Sequence, residues 1–276
     1  MYLEMRNLFR NLVVKILSAQ SRRMLKKHKP FIIAVTGNIG KTTTKDYIYS
    51  ILSHKFGDKV RASLKSENSE FGVNLTILGE KNAWSSFFGW SKIIIKNFFK
   101  TRFSKVYPEI LVLEVGADKP GDIKFITTII NPDIVVLTAF QRSPTHGEFF
   151  LNEDQHILEK KTLLDALRAG GKVVYNADDE VMTRLATEKA IEDRNAQLYS
   201  YGKNELANVR LSDVQNLYDV DSQVSGMRVS LDIDLGENKY GVDLNLPELV
   251  GIAHVYSLSS AVSVALLNGL EEQDNW

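Results

Sequence analysis

The chain has 276 residues, 44% of them hydrophobic, with 34 basic and 34 acidic side chains and no cysteine. That length buries a large core and holds one large domain or two small ones. Balanced charge excludes a global field for nucleic acid, the lack of cysteine excludes disulfides and thiolate metal sites, and no apolar run reaches the roughly 18 residues of a membrane span.

Residues 1–30 carry Arg6, Arg10, Lys15, Arg22, Arg23, Lys26, Lys27 and Lys29 against one acid, Glu4. Leu8, Leu12, Val13, Ile16 and Leu17 recur at helical spacing, which predicts a basic amphipathic helix. No small-residue cleavage site follows an apolar stretch, so the segment reads as a mature cytoplasmic start. Such a helix suits an anionic membrane surface or a place on the protein body with its basic face in water; the docked arrangement is favoured.

Next comes a β-branched apolar run, Phe31 to Val35, stopping at Thr36-Gly37. After Asn38 and Ile39 stand Gly40-Lys41-Thr42-Thr43 and a helix-compatible segment, Lys45 to His54. Glycines let a backbone fold around phosphate with its N–H groups pointing inward. Lys41 is placed to reach terminal phosphates and the Thr42 hydroxyl to sit on Mg²⁺. The general motif has a longer run between its glycines, so this loop is a shortened variant; the bland alternative is a chance Gly-rich turn.

Strands are then expected at Lys59 to Ser63, Ile110 to Val115, Asp133 to Thr138 and Lys172 to Asn176. Helices are expected at Gly121 to Ile130 and Asp154 to Arg168, and a second apolar-basic helix at Trp84 to Phe103. From Ala207 to Leu246 the period becomes two, and an apolar, small-residue helix closes the pattern at Val255 to Leu267. The fold class is therefore α/β: a P-loop-containing, mostly parallel sheet covered by helices, with a small antiparallel β patch near the C-terminal end. Ligands bind such sheets at the carboxyl ends of the strands, where Gly37 to Thr43, Glu114 and Gln141 to His146 fall.

Five ordered motifs resemble the Mur ligases, which form amide bonds on cell-wall precursors at the expense of ATP. They are the loop Thr36-Gly37-Asn38-Ile39-Gly40-Lys41-Thr42-Thr43, the substrate-side loop Lys65 to Gly72 in which Asn68 precedes a Gly-led helix, Leu113-Glu114-Val115-Gly116-Ala117, Asn131-Pro132-Asp133 into Leu137-Thr138, and Asn176-Ala177-Asp178-Asp179. The resemblance runs from Pro30 to Gly269 and is greatest to the branch that joins a D-alanyl-D-alanine dipeptide to a UDP-linked muramoyl tripeptide. It implies three segments: residues 1–30 as the N-terminal helix, 31–270 as the central ATP-binding domain and 271–276 as a tail. In the family a His lies fourteen residues before a carbamylated Lys, and His146 and Lys160 keep that spacing, with Glu148 and Phe150 between them. Read without the resemblance, His146 is an ordinary loop histidine and Lys160 a solvated helix lysine.

The resemblance implies carboxylate activation by ATP through an acyl phosphate, followed by attack of an amine. The phosphates fall to Lys41 and the residues Thr36 to Thr43, with Asn176 and His254 near the nucleotide. Mg²⁺ falls to Thr42, Glu114, His146 and carbamylated Lys160, the carboxylate substrate to Asn68 and Glu70. The implied partners are a carboxylate, a UDP-linked muramoyl peptide, and an amino acid or dipeptide, with no nucleic acid. Three departures accompany this. Ala253, His254 and Ser257 stand where the family opens its terminal helix with His, Asn and Asn. Only the helix of residues 1–30 precedes the ATP loop, in place of a uridine-nucleotide domain. The family's C-terminal domain is expected to be missing after Trp276, leaving a chain that binds nucleotide but turns over poorly. A different P-loop ATPase and a non-catalytic nucleotide-binding module stay open as alternatives.

Overall fold

The computed structural model describes residues 2–63, 68–84, 86–140, 152–193, 195–236 and 239–270, with side chains from residue 8 onward and excepting residue 191. One nine-stranded sheet runs through them in the order β2-β3-β1-β4-β5-β6-β7-β8-β9. Strands β1 (Phe31–Thr36), β2 (Val60–Ala62), β3 (Ile110–Glu114), β4 (Ile134–Leu137), β5 (Lys172–Asn176) and β6 (Gln197–Gly202) are all parallel. β7 (Val209–Tyr218) joins β6 in parallel, and β8 (Val224–Asp234) and β9 (Lys239–Pro247) then add antiparallel.

The sequence pattern explains the two halves. β3 and β4 are buried at every residue and β1 at all but its first, as expected of strands covered on both faces. β9 alternates exposed and half-buried residues, as expected of a sheet with one face in water. Within β1, Ile32 and Ala34 pack into one core with α1 (Tyr2–His28), α3 (Glu70–Leu78), α4 (Phe87–Phe103), α5 (Asp122–Thr127), α6 (Glu153–Asp165) and α7 (Glu180–Glu192). Ile33 and Val35 pack into the other with α2 (Lys41–Phe56) and α8 (Ile252–Leu267). That alternation is the period of two of the strand itself.

α1 docks on the body. Val13, Leu17 and Met24 enter the first core, while Arg10, Lys15, Arg22, Arg23, Lys26 and Lys27 stay exposed. The expected packing of this helix on the body is found.

Several boundaries differ from expectation. α3 begins at Glu70 on a Ser69 cap, whose hydroxyl accepts from Gly72 N, so it is Ser-capped rather than Gly-led. α5 ends at Thr127, short of Ile130, because Asn131-Pro132 must turn into β4 and the residue before proline disfavours helix. The antiparallel portion is not small: β7, β8 and β9 have 10, 11 and 9 residues and are the longest strands among the described residues. α7 and β6 fill a stretch for which no element was expected.

Candidate active site

The shortened loop leaves β1 and starts α2, and two glycines make that path possible. A Cβ on Gly37 would lie 2.0 Å from Thr138 Oγ1, so the loop can pass the end of β4 only without a side chain there. Gly40 holds φ 81° as the α2 N-cap, a left-handed conformation that glycine adopts without steric cost. It offers no side-chain cap, and the first turn of α2 has no acid, so the leading N–H groups of a 16-residue helix are left for an anion. Asn38 N donates to Ala139 O at 2.7 Å and Thr138 Oγ1 donates to Ile39 O at 2.6 Å, pinning the loop to the exit of β4.

Around this loop the structure gathers most of the expected groups. Lys41 Nζ donates to Asn38 O at 3.2 Å. Burial lowers its pKa, while the carboxylates of Glu114 and Asp118 pull it back up. The Thr42 hydroxyl donates to Glu114 Oε2 at 2.9 Å, and Asn68 Nδ2 donates to Glu114 Oε1 at 3.3 Å. Glu114 ends β3 only 1% exposed, and the close approach of Gly116 lets Asn68 lie against the chain there. Asn68 thus orients the carboxylate of Glu114.

Lys160 is the least ordinary group. It sits on α6 at 5% exposure, with Nζ 3.3 Å from His156 O and over the Phe140 ring at 5.5 Å. Burial first, then the Lys41 ammonium, lower its pKa to about 8, with Glu159 opposing. Glu159 is itself held on the N-terminus of α5, accepting from Gly121 N at 2.6 Å and Ile123 N at 2.9 Å. A solvated helix lysine would have none of these features.

Other expected groups have different surroundings. Glu70 accepts from Arg10 Nη2 at 2.6 Å, tying α3 to α1. Asn176 Oδ1 accepts from Asp178 N at 3.0 Å and closes the turn after β5. In that turn Asp178 receives Lys203 N, Asn204 N and the Tyr256 hydroxyl, joining β6 and α8. Asp179 caps α7 through Val181 N and Met182 N and receives Phe140 N at 2.6 Å. Asp179→Ala removes the cap and a half-buried acceptor, so unfolding in urea is expected to show a loss of about 1–2 kcal/mol; an unchanged midpoint would reject this role. His254, exposed at the start of α8, meets the Tyr47 hydroxyl through Nδ1 at 3.0 Å. The unusual residue thereby bridges α8 to α2.

His146 lies outside the described residues, as do Lys65, Ser66, Glu67, Gln141, Glu148 and Phe150. Among the described residues no three His, Asp or Glu side chains converge as a metal cluster. Thr138, Asp118 and Tyr47 were not anticipated as site residues. For Thr138 the signal was present, a hydroxyl residue closing an apolar strand beside the loop; Tyr47 carries none.

Comparison with known proteins agrees with this fold. The family model for the Mur ligase middle domain matches residues 91–256. The UDP-N-acetylmuramoyl-tripeptide–D-alanyl-D-alanine ligase of Borreliella burgdorferi is 23% identical over 266 residues, covering 95% of this chain and 47% of that protein. Among solved structures, MurF from Acinetobacter baumannii superimposes with a TM-score of 0.67 at 20% identity, covering 94% of this chain and 47% of that one. MurF ligase from Thermotoga maritima in complex with ADP gives 0.67 at 23% identity, covering 94% and 50%. The chain spans about half the length of the curated relatives it matches.

Proposed function

This chain belongs to the Mur ligase family, and on that premise we propose that it is the ATP-binding part of an ATP-dependent carboxylate–amine ligase acting in peptidoglycan precursor synthesis. The observation that carries the reading is the Thr42–Glu114 hydrogen bond beside the capless start of α2, with Lys160 buried over the Phe140 ring. In this reading residues 1–30 are an attached helix, 31–270 the ATP-binding domain and 271–276 a tail. The substrates are a UDP-linked muramoyl peptide and a D-alanyl-D-alanine-like amine, and the reaction runs in the cytoplasm, where ATP is available.

Phosphoryl transfer asks the protein mainly for positioning and charge. The loop N–H groups and Lys41 orient the terminal phosphates for attack by the substrate carboxylate. The acyl phosphate then meets the amine, and a tetrahedral adduct collapses to amide and phosphate. Asn68 keeps Glu114 in place and stands on the substrate side; Glu70 is proposed beside it, through the loop it anchors.

Thr42 and Glu114 are hard oxygen donors, which fits Mg²⁺. A lysine ammonium does not fit such a shell; a carbamate does. Attack of neutral Lys160 Nζ on CO₂, with loss of one proton, gives an anionic oxygen donor that, with Glu114 and His146, suits a second Mg²⁺. Bound there, Mg²⁺ supplies neutralisation of the repulsion between triphosphate and carboxylate.

Glu114→Gln keeps the shape and removes the charge, so calorimetry is expected to show at least about tenfold weaker Mg²⁺-dependent ATP binding. In protein carrying this chain, release of ADP and phosphate should require both the acid and the amine. ATP binding without acceptor-dependent turnover would favour a nucleotide-binding module instead.

A further inference from the structure

The outer layer formed by α1 and α4 has a chemistry that ligation does not use. α4 carries no acidic residue and buries Trp90, Ile93, Asn97 and Thr101 on its inner side. Outward it presents Phe88, 85% exposed, with Ile95, Phe98, Phe99 and Phe103. Three of these rings contact one another, Phe98 to Phe99 edge-on at 5.5 Å and Phe99 to Phe103 stacked at 6.4 Å. Exposed Lys92, Lys96 and Arg102 stand between them. A contiguous aromatic face of this kind on a helix marks an interaction surface rather than ordinary surface scatter.

α1 extends the same face. It lies along α4 through Gln20 Nε2 to Ile94 O at 2.9 Å, Lys27 Nζ to Arg102 O at 3.1 Å, and Phe9 against Phe87 at 5.4 Å. Its outward positions are Leu8 and Leu12 with Lys15, Arg22, Arg23 and Lys26. The inner sides of both helices are already occupied, so the face is not a misplaced core.

We propose that the α1–α4 face docks on an anionic phospholipid surface, with Phe88, Ile95, Phe99 and Phe103 among the headgroups and the Lys and Arg fringe on the phosphates. Charge complementarity selects this occupant, because among the described side chains the exposed charges of the two outward faces are all positive, Lys96 being the one also paired with an acid, Glu80. A second copy seated face to face would set Lys92 and Arg102 against like charges. Nucleic acid would use the rings for stacking but gains nothing from Leu8, Leu12 and Ile95, which have no π-face. Among the described residues no helix is long and apolar enough to cross a membrane, so the contact lies along the surface.

Flotation of the full chain with phosphatidylcholine vesicles, with or without about 30% phosphatidylglycerol, tests this directly. Co-flotation is expected with the anionic vesicles alone and should weaken in about 0.5 M NaCl. Phe88→Glu with Phe99→Glu, and separately Lys92→Glu with Arg102→Glu, should each reduce vesicle binding at least about tenfold. All four positions are exposed, so melting and ATP binding should not change. No flotation, flotation unaffected by both double variants, or equal binding to neutral vesicles would overturn the proposal. So would a dimer in sedimentation equilibrium, or oligonucleotide binding in place of vesicle binding, that the same substitutions abolish.

Discussion

Replacing Lys41 by alanine is expected to weaken ATP–Mg²⁺ binding by roughly tenfold to a hundredfold, the range of one charge-assisted hydrogen bond to phosphate. The side chain starts α2 at the point where Gly40 leaves the helix without a cap, and its Nζ rests on the loop carbonyl of Asn38. An anion seated on the leading N–H groups of α2 would draw that ammonium from the carbonyl to itself. Burial lowers the pKa of this lysine, and the carboxylates of Glu114 and Asp118 oppose that shift. The loop should survive the substitution, because Gly37, Thr138 and Ala139 fix its path through contacts that Lys41 does not make. Calorimetric titration of ATP with Mg²⁺ into both proteins decides the matter. Equal affinity, with unchanged melting, would remove the loop from the nucleotide site.

Much of this architecture was legible because strand burial writes itself as composition. Phe31 to Val35, Ile110 to Val115 and Asp133 to Thr138 are nearly continuous apolar runs, and each became a central parallel strand. The period-two stretch after Ala207 likewise became the antiparallel edge. β6 escaped because Gln197-Leu198-Tyr199-Ser200-Tyr201-Gly202 is too polar to read as a buried run and too irregular to read as alternation. Its burial depends on neighbours: Ser200 pairs with Asn208, and the Tyr201 hydroxyl, raised in pKa by full burial, donates to Leu137 O. α7 was readable from Val181, Met182, Leu185 and Ala186 at helical spacing.

The site divides along the same line. Thr36 to Thr43 announce themselves by glycine placement next to a buried strand, which local sequence contains. That Thr42 meets Glu114 depends on β3 lying beside β1, a fact of topology. The nearness of Lys160 to Lys41 spans α6 and α2, and no local spacing encodes it. Glu70 shows the reverse case: a residue in a matching motif whose carboxylate holds α1 through Arg10.

Lys160 gives the second large effect, and its sign follows from burial. At its ordinary pKa of 10.5, about one lysine in three thousand is neutral at pH 7; at about 8, roughly one in ten is. Only the neutral amine attacks CO₂, so bicarbonate at pH 7–8 should carbamylate Lys160. Carbon-13 NMR with labelled bicarbonate should show a carbamate signal that disappears in Lys160→Met. Without CO₂ the unmodified lysine has a folded pKa below its unfolded one, so the unfolded chain binds more protons between about pH 8 and 10.5. Stability from this group therefore rises with pH across that window, and below it the full cost of the buried cation remains. Lys160→Met removes that cost and should raise the melting midpoint at pH 7 by at least about 2 °C in CO₂-free buffer. Bicarbonate should narrow the gap between the two proteins, because carbamylation replaces the buried cation with an anion placed near Lys41. In protein carrying this chain, Lys160→Ala should abolish ligation, with partial rescue by a small carboxylate, since the group lost is an oxygen donor. A Lys160→Met protein that melts lower than its parent at pH 7 without CO₂, together with no carbamate signal in the parent, would return Lys160 to the role of a structural lysine.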